Sequence, residues 1–144
     1  MTSRGLKVLL ITLGALVALV AAVGVAGYLW LRANRDRLVA LGRGARTEGE
    51  AFGRGRTSSD CETESLARGD ACEGLLCEAG AQIFLEACLR TAAEPPGYCD
   101  LVPSQHKIIE SARFALSRCA SAGRPGDKRC GRIVQAVQRH CHGN

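Results

Sequence analysis

Eight cysteines lie in the last 84 residues of this chain, at positions 61, 72, 77, 88, 99, 119, 130 and 141. They make up about 10% of that segment, and an even number of cysteines at such density is typical of small disulfide-bonded domains. A segment of this length has a small apolar core, so disulfides must supply a large share of its stability. The cysteines therefore predict a small disulfide-stapled domain in an oxidising compartment.

The spacing of the cysteines limits how they can pair. Five of the seven intervals are eleven residues, and two cysteines so spaced on one helix lie about 16 Å apart, too far for a disulfide. Two pairs instead flank turns that contain Pro and Gly, and each is predicted to close a helical hairpin: Cys88–Cys99 and Cys119–Cys130. The remaining four cysteines leave two further pairs, although sequence alone does not determine connectivity: Cys61–Cys72 and Cys77–Cys141.

Residues 8–31 form an apolar run of 24 residues without a charge. As a helix this run extends about 36 Å, which is enough to cross a bilayer. Tyr28 and Trp30 lie at its C-terminal end, where aromatic rings favour the headgroup region. A cleaved signal peptide ending near residues 25–27 is the alternative, but signal peptides have shorter apolar regions. The run therefore predicts an uncleaved single-pass membrane anchor.

Small residues recur every four positions along this run: Gly14, Ala18, Ala22 and Ala26. Small residues on one face allow the backbones of two membrane helices to approach closely. A homodimer through this face is therefore a hypothesis, and the composition favours the alternative, an ordinary Ala-rich membrane helix.

Two rules disagree on the orientation of the anchor. Five arginines follow the run between residues 32 and 46, whereas Arg4 and Lys7 precede it, and this bias favours a cytoplasmic C-terminal domain. Disulfides require the opposite side of the membrane, and the cysteines are taken as decisive. Because 16 Arg against 3 Lys is typical of GC-rich bacterial genes, the predicted location is the bacterial inner membrane with the C-terminal domain in the periplasm.

The chain divides into three predicted parts: an anchor over 1–31, a juxtamembrane helix or flexible linker over 32–57, and a cysteine-rich helical domain over 58–144. Capping and breaking signals predict about four short helices in the last part, opening near Ser59, Asp70, Pro103 and Asp127. Residues that alternate with a period of two are too few to predict a sheet. The predicted fold is all-α, with a single N-terminal transmembrane helix followed by a small disulfide-stapled bundle.

Three helix faces follow from the periodicity. The helix after Asp70 carries a polar stripe predicted to face solvent: Glu78, Gln82, Glu86 and Arg90. The next helix carries an apolar set typical of packing in a bundle: Ile108, Ile109, Ala112, Ala115, Leu116 and Cys119. The last helix carries another apolar stripe: Cys130, Ile133, Val134, Val137 and Cys141.

Several classes of function find no support in the sequence. Residues 58–144 carry ten basic and eleven acidic residues, which does not favour nucleic-acid binding. The cysteines lack the C-x2-C spacing of zinc modules, so no metal or cofactor site is predicted, although His140 and His142 flank Cys141. No nucleophile elbow or phosphate loop accompanies His106, so no catalytic residue is predicted.

The predicted function is a membrane-anchored structural or protein-interaction module with an unidentified protein partner. A stapled domain loses little entropy on binding, so even a modest patch can serve as an interface. The first alternative is a carrier of a small ligand or lipid, with a pocket in the helical bundle. A hydrolase is the second alternative.

Overall fold

The computed structural model describes residues 3–71 and 73–143. These residues form five α-helices and no strand: α1 (Ser3–Gly53), α2 (Ser58–Asp70), α3 (Leu75–Leu89), α4 (Ile108–Ser121) and α5 (Lys128–His142). They fall into two units, divided between Val39 and Ala40. The fold is all-α as predicted, with one long apolar helix followed by four short ones.

The first unit contains the predicted anchor. Its helix is long and apolar enough to cross a membrane, and the side chains of residues 8–31 are exposed. Exposed apolar side chains around a whole helix are stable when lipid covers them. The predicted dimer face, Gly14 to Ala26, lies on this helix and stays a prediction.

The C-terminal turns of α1 belong to the second unit. Ala45 and Phe52 pack against its core, and Gly49 is buried beside Phe84 of α3. Of the two alternatives for the juxtamembrane segment, the structure shows the helix, which ends at Gly53. From Ala40 to Gly53 the segment is therefore part of the folded domain.

Side chains cap two of the helices. The Thr57 hydroxyl accepts from the Asp60 N–H, and the Asp60 carboxylate accepts from the Thr57 N–H at 2.9 Å. This is a capping box with the same spacing as the one predicted from Ser59, displaced by two residues. Asp127 caps α5 as predicted, with its carboxylate accepting from the Arg129 N–H at 2.8 Å.

Two predicted helix starts are wrong. Asp70 is the last residue of α2, so α3 begins only at Leu75. α4 begins at Ile108 rather than at Pro103, because residues 90–107 fold as a series of hydrogen-bonded turns. The connection between α3 and α4 is therefore a long irregular segment and not a tight hairpin.

Helices α2, α3 and α5 surround the hydrophobic core, and α4 packs on α5. The largest buried apolar side chains are Phe84, Leu85, Leu89, Ile133, Val134 and Val137. The last three confirm the predicted stripe of α5. Outside this core, polar side chains of α3 and α5 also contact each other.

Three residues of the predicted polar stripe, Glu78, Gln82 and Glu86, pack against α5 and do not face solvent, whereas Arg90, just after α3, is exposed as predicted. Glu78 is buried, and its carboxylate accepts from Arg132 of α5 at 2.6 Å. The Gln82 side chain donates to the Arg132 carbonyl oxygen at 2.8 Å, and Glu86 lies 3.4 Å from Arg139. These three residues pack on the basic side of α5, because complementary charges recur at matching steps on the two helices.

Replacing Glu78 by Gln should lower the Tm at pH 7 and lower it less at about pH 2. The hydrogen bond from Arg132 is the main cause that holds the pKa of the Glu78 carboxyl below its ordinary value of 4.5, and the charge of Arg129 adds to it. A lowered folded-state pKa stabilises the domain above the ordinary pKa, and this contribution is lost as pH falls through the folded-state pKa.

Thermal unfolding of the two proteins followed by circular dichroism at both pH values measures this effect. The matched control is Glu110→Gln, which removes an exposed pair with Lys107 and should change the Tm little. An equal loss of Tm at both pH values would show that the Glu78 carboxylate contributes nothing through its charge.

Three disulfides have both cysteines among the described residues: Cys61–Cys88, Cys99–Cys141 and Cys119–Cys130. The last of these is a predicted pair, and it joins the end of α4 to the start of α5. Cys77 is also disulfide-bonded, and Cys72 lies outside the described residues.

The other predicted pairs are wrong: Cys88–Cys99, Cys61–Cys72 and Cys77–Cys141. Cys88 of α3 faces α2, where Cys61 lies 5.8 Å away between Cα atoms. Cys99 lies in the irregular segment, and this segment passes the C-terminal end of α5. The Cα atoms of Cys99 and Cys141 are therefore 5.4 Å apart. The prediction failed because it assumed a helical hairpin after α3, whereas α3 packs on α2 and α5.

Candidate interaction surface

The apolar side of α4 lies on the surface of the domain. Its side chains are 80% exposed at Ile108, 70% at Ile109 and 58% at Leu116, and Ala112 between them is also exposed. Cys119 is the one buried residue of this helix. We define the α4 face as Ile108, Ile109, Ala112 and Leu116. The expectation of packing in the bundle is wrong for these four residues and is confirmed for Ala115 and Cys119.

The neighbouring side of α5 explains why the α4 face is not buried. A groove of about 440 Å³ lies along one side of the contact between the two helices. Its α5 wall consists of the polar residues Gln135, Gln138 and Arg139. These side chains give the apolar residues of α4 little to pack against. The Cys119–Cys130 disulfide ties the far end of α4 to α5, so α4 is held in place covalently without burial of its apolar side.

A second opening lies on another side of α4. It is a cleft of about 840 Å³ between residues 96–103 and α4, with Tyr98 and Phe114 among its lining side chains. Leu101 lies at this cleft and is 90% exposed. Leu101, Tyr98 and Phe114 give this cleft an apolar part of its own, and none of the four residues of the α4 face lines it.

Charged and aromatic groups are fixed on one side of this cleft. The Tyr98 hydroxyl donates to Glu62 at 2.7 Å, and the Arg118 guanidinium lies 3.6 Å from the same carboxylate. Arg118 also lies over the rings of Tyr98 and Phe114, at 5.4 and 5.5 Å from their centroids. Burial, followed by the charge of Glu62, raises the pKa of Tyr98 far above its ordinary value, so the phenol stays a hydrogen-bond donor.

The cations along α4 differ in their pairing. Lys107 lies 3.2 Å from Glu110, and Arg118 pairs with Glu62. Arg113 also lines the cleft, and within residues 3–71 and 73–143 it makes no ion pair. Arg113 is therefore the cation beside the α4 face that can meet an acidic group from outside the domain.

A group of metal-ligating residue types lies at the C-terminal end of α5. Glu94, Cys99 and His140 each offer a ligand atom, and these atoms lie within 4.8 Å of one another. Cys99 is bonded to Cys141, so its sulfur is not a thiolate. Sequence reasoning missed Glu94, since no motif spacing marks it. The single hint was that His140 lies next to Cys141.

The other predicted residues take structural or surface positions. His106 is exposed, and His142 Nε2 lies 2.5 Å from the Val102 carbonyl oxygen. The expectation that the chain has no catalytic residue stays a prediction. Comparison of the chain with protein families, curated proteins and solved structures finds no match. The α4 face, the cleft and the anchor are therefore the features of this chain that bear on its function.

Proposed function

We propose that this chain is a membrane-anchored interaction module that docks a partner protein through the α4 face. The proposal rests on one observation: three large aliphatic side chains of a single helix are more than half exposed. The same domain buries most of its other large aliphatic and aromatic residues in a core around α2, α3 and α5, and its other strongly exposed apolar side chains include Leu75, Leu76 and Leu101. A contiguous exposed apolar patch of this kind marks an interaction site.

The spacing of the α4 face indicates what kind of partner fits it. Ile109, Ala112 and Leu116 follow one another at steps of three and four, which is the spacing of helix–helix packing. Arg113 lies within this stretch, and among the described residues it makes no ion pair. The partner we propose is an amphipathic helix of another protein, with apolar side chains toward α4 and an acidic residue toward Arg113.

The disulfides support such a role through the entropy of binding. Cys119–Cys130 fixes one end of α4, and Cys99–Cys141 fixes the irregular segment that forms the opposite wall of the cleft. A surface that is rigid before binding loses less conformational entropy when its partner docks. The covalent links therefore favour a preformed docking surface.

The proposed location follows from the anchor and the disulfides. α1 is long and apolar enough to span a membrane, and disulfides persist in oxidising compartments. We place the protein in the inner membrane of a bacterium with residues 58–144 in the periplasm. The arginines between residues 32 and 46 would then lie near the anionic headgroups of that side.

Site-specific photocrosslinking of the full-length chain in its native membranes tests this proposal. A benzophenone amino acid at Leu116 should give one discrete adduct with another protein, identified by mass spectrometry. Ile109→Asp and Arg113→Glu should each reduce the yield of this adduct, because they remove an apolar contact and reverse the charge. The matched control places the same probe at Ala67, which is exposed on α2 and should give no such adduct.

The other possible occupants of the surface give different adducts. Crosslinks to lipid alone would show that α4 lies on the membrane surface. Crosslinks to a second copy of the chain would show a homo-oligomer, and a small molecule bound in the cleft would favour the carrier alternative. Equal protein adducts from Leu116 and Ala67 would also overturn the proposal.

A further inference from the structure

Three side chains that can bind a metal meet where the irregular segment contacts α5, and the sulfur of a fourth residue is bonded to one of them. Glu94 Oε2 lies 3.0 Å from His140 Nε2, and Cys99 Sγ lies within 4.8 Å of both side chains' ligand atoms. Cys141 is the fourth, since its sulfur is bonded to that of Cys99. Two ligands come from the segment before α4 and two from the last turn of α5.

The oxidation state of the cysteines decides what this cluster can bind. In the disulfide, neither sulfur is a thiolate, so only Glu94 and His140 remain as ligands. Two ligands are too few for the closed four-coordinate sites in which zinc is held. With both sulfurs reduced, the cluster offers two thiolates, one imidazole and one carboxylate, all of which zinc accepts.

Solvent access distinguishes this disulfide from the other two whose cysteines are both described. The cysteines of Cys61–Cys88 and Cys119–Cys130 are at most 2% exposed, whereas Cys99 and Cys141 are both half-buried. Thiol–disulfide exchange requires that the attacking thiolate reach a sulfur atom. A dithiol in solution therefore reaches Cys99–Cys141 before it reaches the other two.

We infer that reduction of Cys99–Cys141 converts this cluster into a zinc site with Glu94, Cys99, His140 and Cys141 as ligands. A dithiol supplies the two electrons and two protons: it becomes a cyclic disulfide, and each cysteine sulfur gains one hydrogen. When zinc binds, both thiols lose their protons to solvent. The metal then replaces the covalent bond as the link between the irregular segment and α5.

The test uses the full-length chain in detergent micelles, with Co²⁺ and Zn²⁺ as the probes. Cys72 and Cys77 are both replaced by Ala, so that their thiols do not bind the probe. After limited treatment with dithiothreitol and its removal, the protein should bind one Co²⁺ with a thiolate-to-metal charge-transfer band. The oxidised protein should show no such band. Alkylation and mass spectrometry should locate the two free thiols at Cys99 and Cys141.

Two histidine variants show whether the His140 side chain itself binds the metal. His140→Ala should weaken Zn²⁺ binding by at least about tenfold, since even loss of an outer hydrogen-bond partner costs bound metals ~10–100-fold in affinity. His106→Ala is the matched control, because His106 is an exposed histidine outside the cluster. It should leave the affinity unchanged.

A measurement of folding covers the case in which the reduced chain is unstable. Zn²⁺ should raise the Tm of the reduced protein, or restore its helical signal, and leave the oxidised protein unaffected. The inference is overturned by equal metal binding in the two oxidation states or by full Zn²⁺ affinity in His140→Ala. It is also overturned if the buried disulfides open as readily as Cys99–Cys141.

Discussion

Replacing Cys61 and Cys88 together by Ala should lower the free energy of unfolding of the domain by about 3–4 kcal/mol. The bond joins α2 to α3 and closes a loop with a sequence separation of 27. In the chain-entropy account, this cross-link restricts the unfolded chain, so that its removal favours unfolding. Both cysteines are also fully buried, so the double substitution removes packed atoms from the core.

Urea unfolding of the full-length protein in detergent, followed by circular dichroism, measures this loss. Ala67→Ser, at an exposed position of α2, is the control and should change the free energy of unfolding by less than about 0.5 kcal/mol. A loss below about 1 kcal/mol for the double variant would show that packing alone holds α2 on α3.

Local signals in the sequence account for what could be predicted. Asp127 caps α5, and the apolar residues that follow it at steps of three and four are buried. The Cys119–Cys130 bond spans a short turn between two consecutive helices. Each of these features depends on residues close together in the chain, so helical periodicity and turn chemistry are sufficient to predict them.

The pairing of distant elements could not be predicted in the same way. Cys88 bonds to Cys61 because α3 packs on α2, and no local pattern reveals which helices become neighbours. The sequence pattern predicts that Glu78 faces solvent, whereas in the structure its carboxylate lies 2.6 Å from Arg132 Nε of α5. Both errors come from tertiary contacts between residues at least 27 positions apart.

The α4 face shows a further limit of periodicity. An apolar stripe indicates that one side of a helix avoids water, but it does not say whether the domain itself or a partner covers that side. Here the polar residues Gln135 and Arg139 line the adjoining groove, so the domain leaves Ile108 and Ile109 exposed. This exposed apolar side of α4 is therefore the structural basis of the proposed docking surface.

The juxtamembrane segment also differs from one of its two predicted forms. Its glycines were compatible with a flexible linker, yet Gly49 is buried and the Glu50 carbonyl oxygen accepts from the Thr91 hydroxyl at 3.1 Å. A glycine within a helix lowers its intrinsic stability but permits close approach of a neighbouring backbone. At Gly49 the close approach outweighs the loss of helix stability, because α3 lies directly against the helix.

Gly49→Ala should therefore lower the free energy of unfolding by about 1–3 kcal/mol, as overpacking of a well-packed site does. A Cβ at this position would clash with the Phe84 carbonyl oxygen and lie 2.9 Å from the Ala87 Cβ. Gly44→Ala is the matched control on the same helix, since a Cβ there meets nothing within 4 Å, and it should stabilise the protein by up to about 1 kcal/mol. Urea unfolding of both variants measures the opposite signs, and equal stabilisation by the two would show that α1 does not pack against α3 at Gly49.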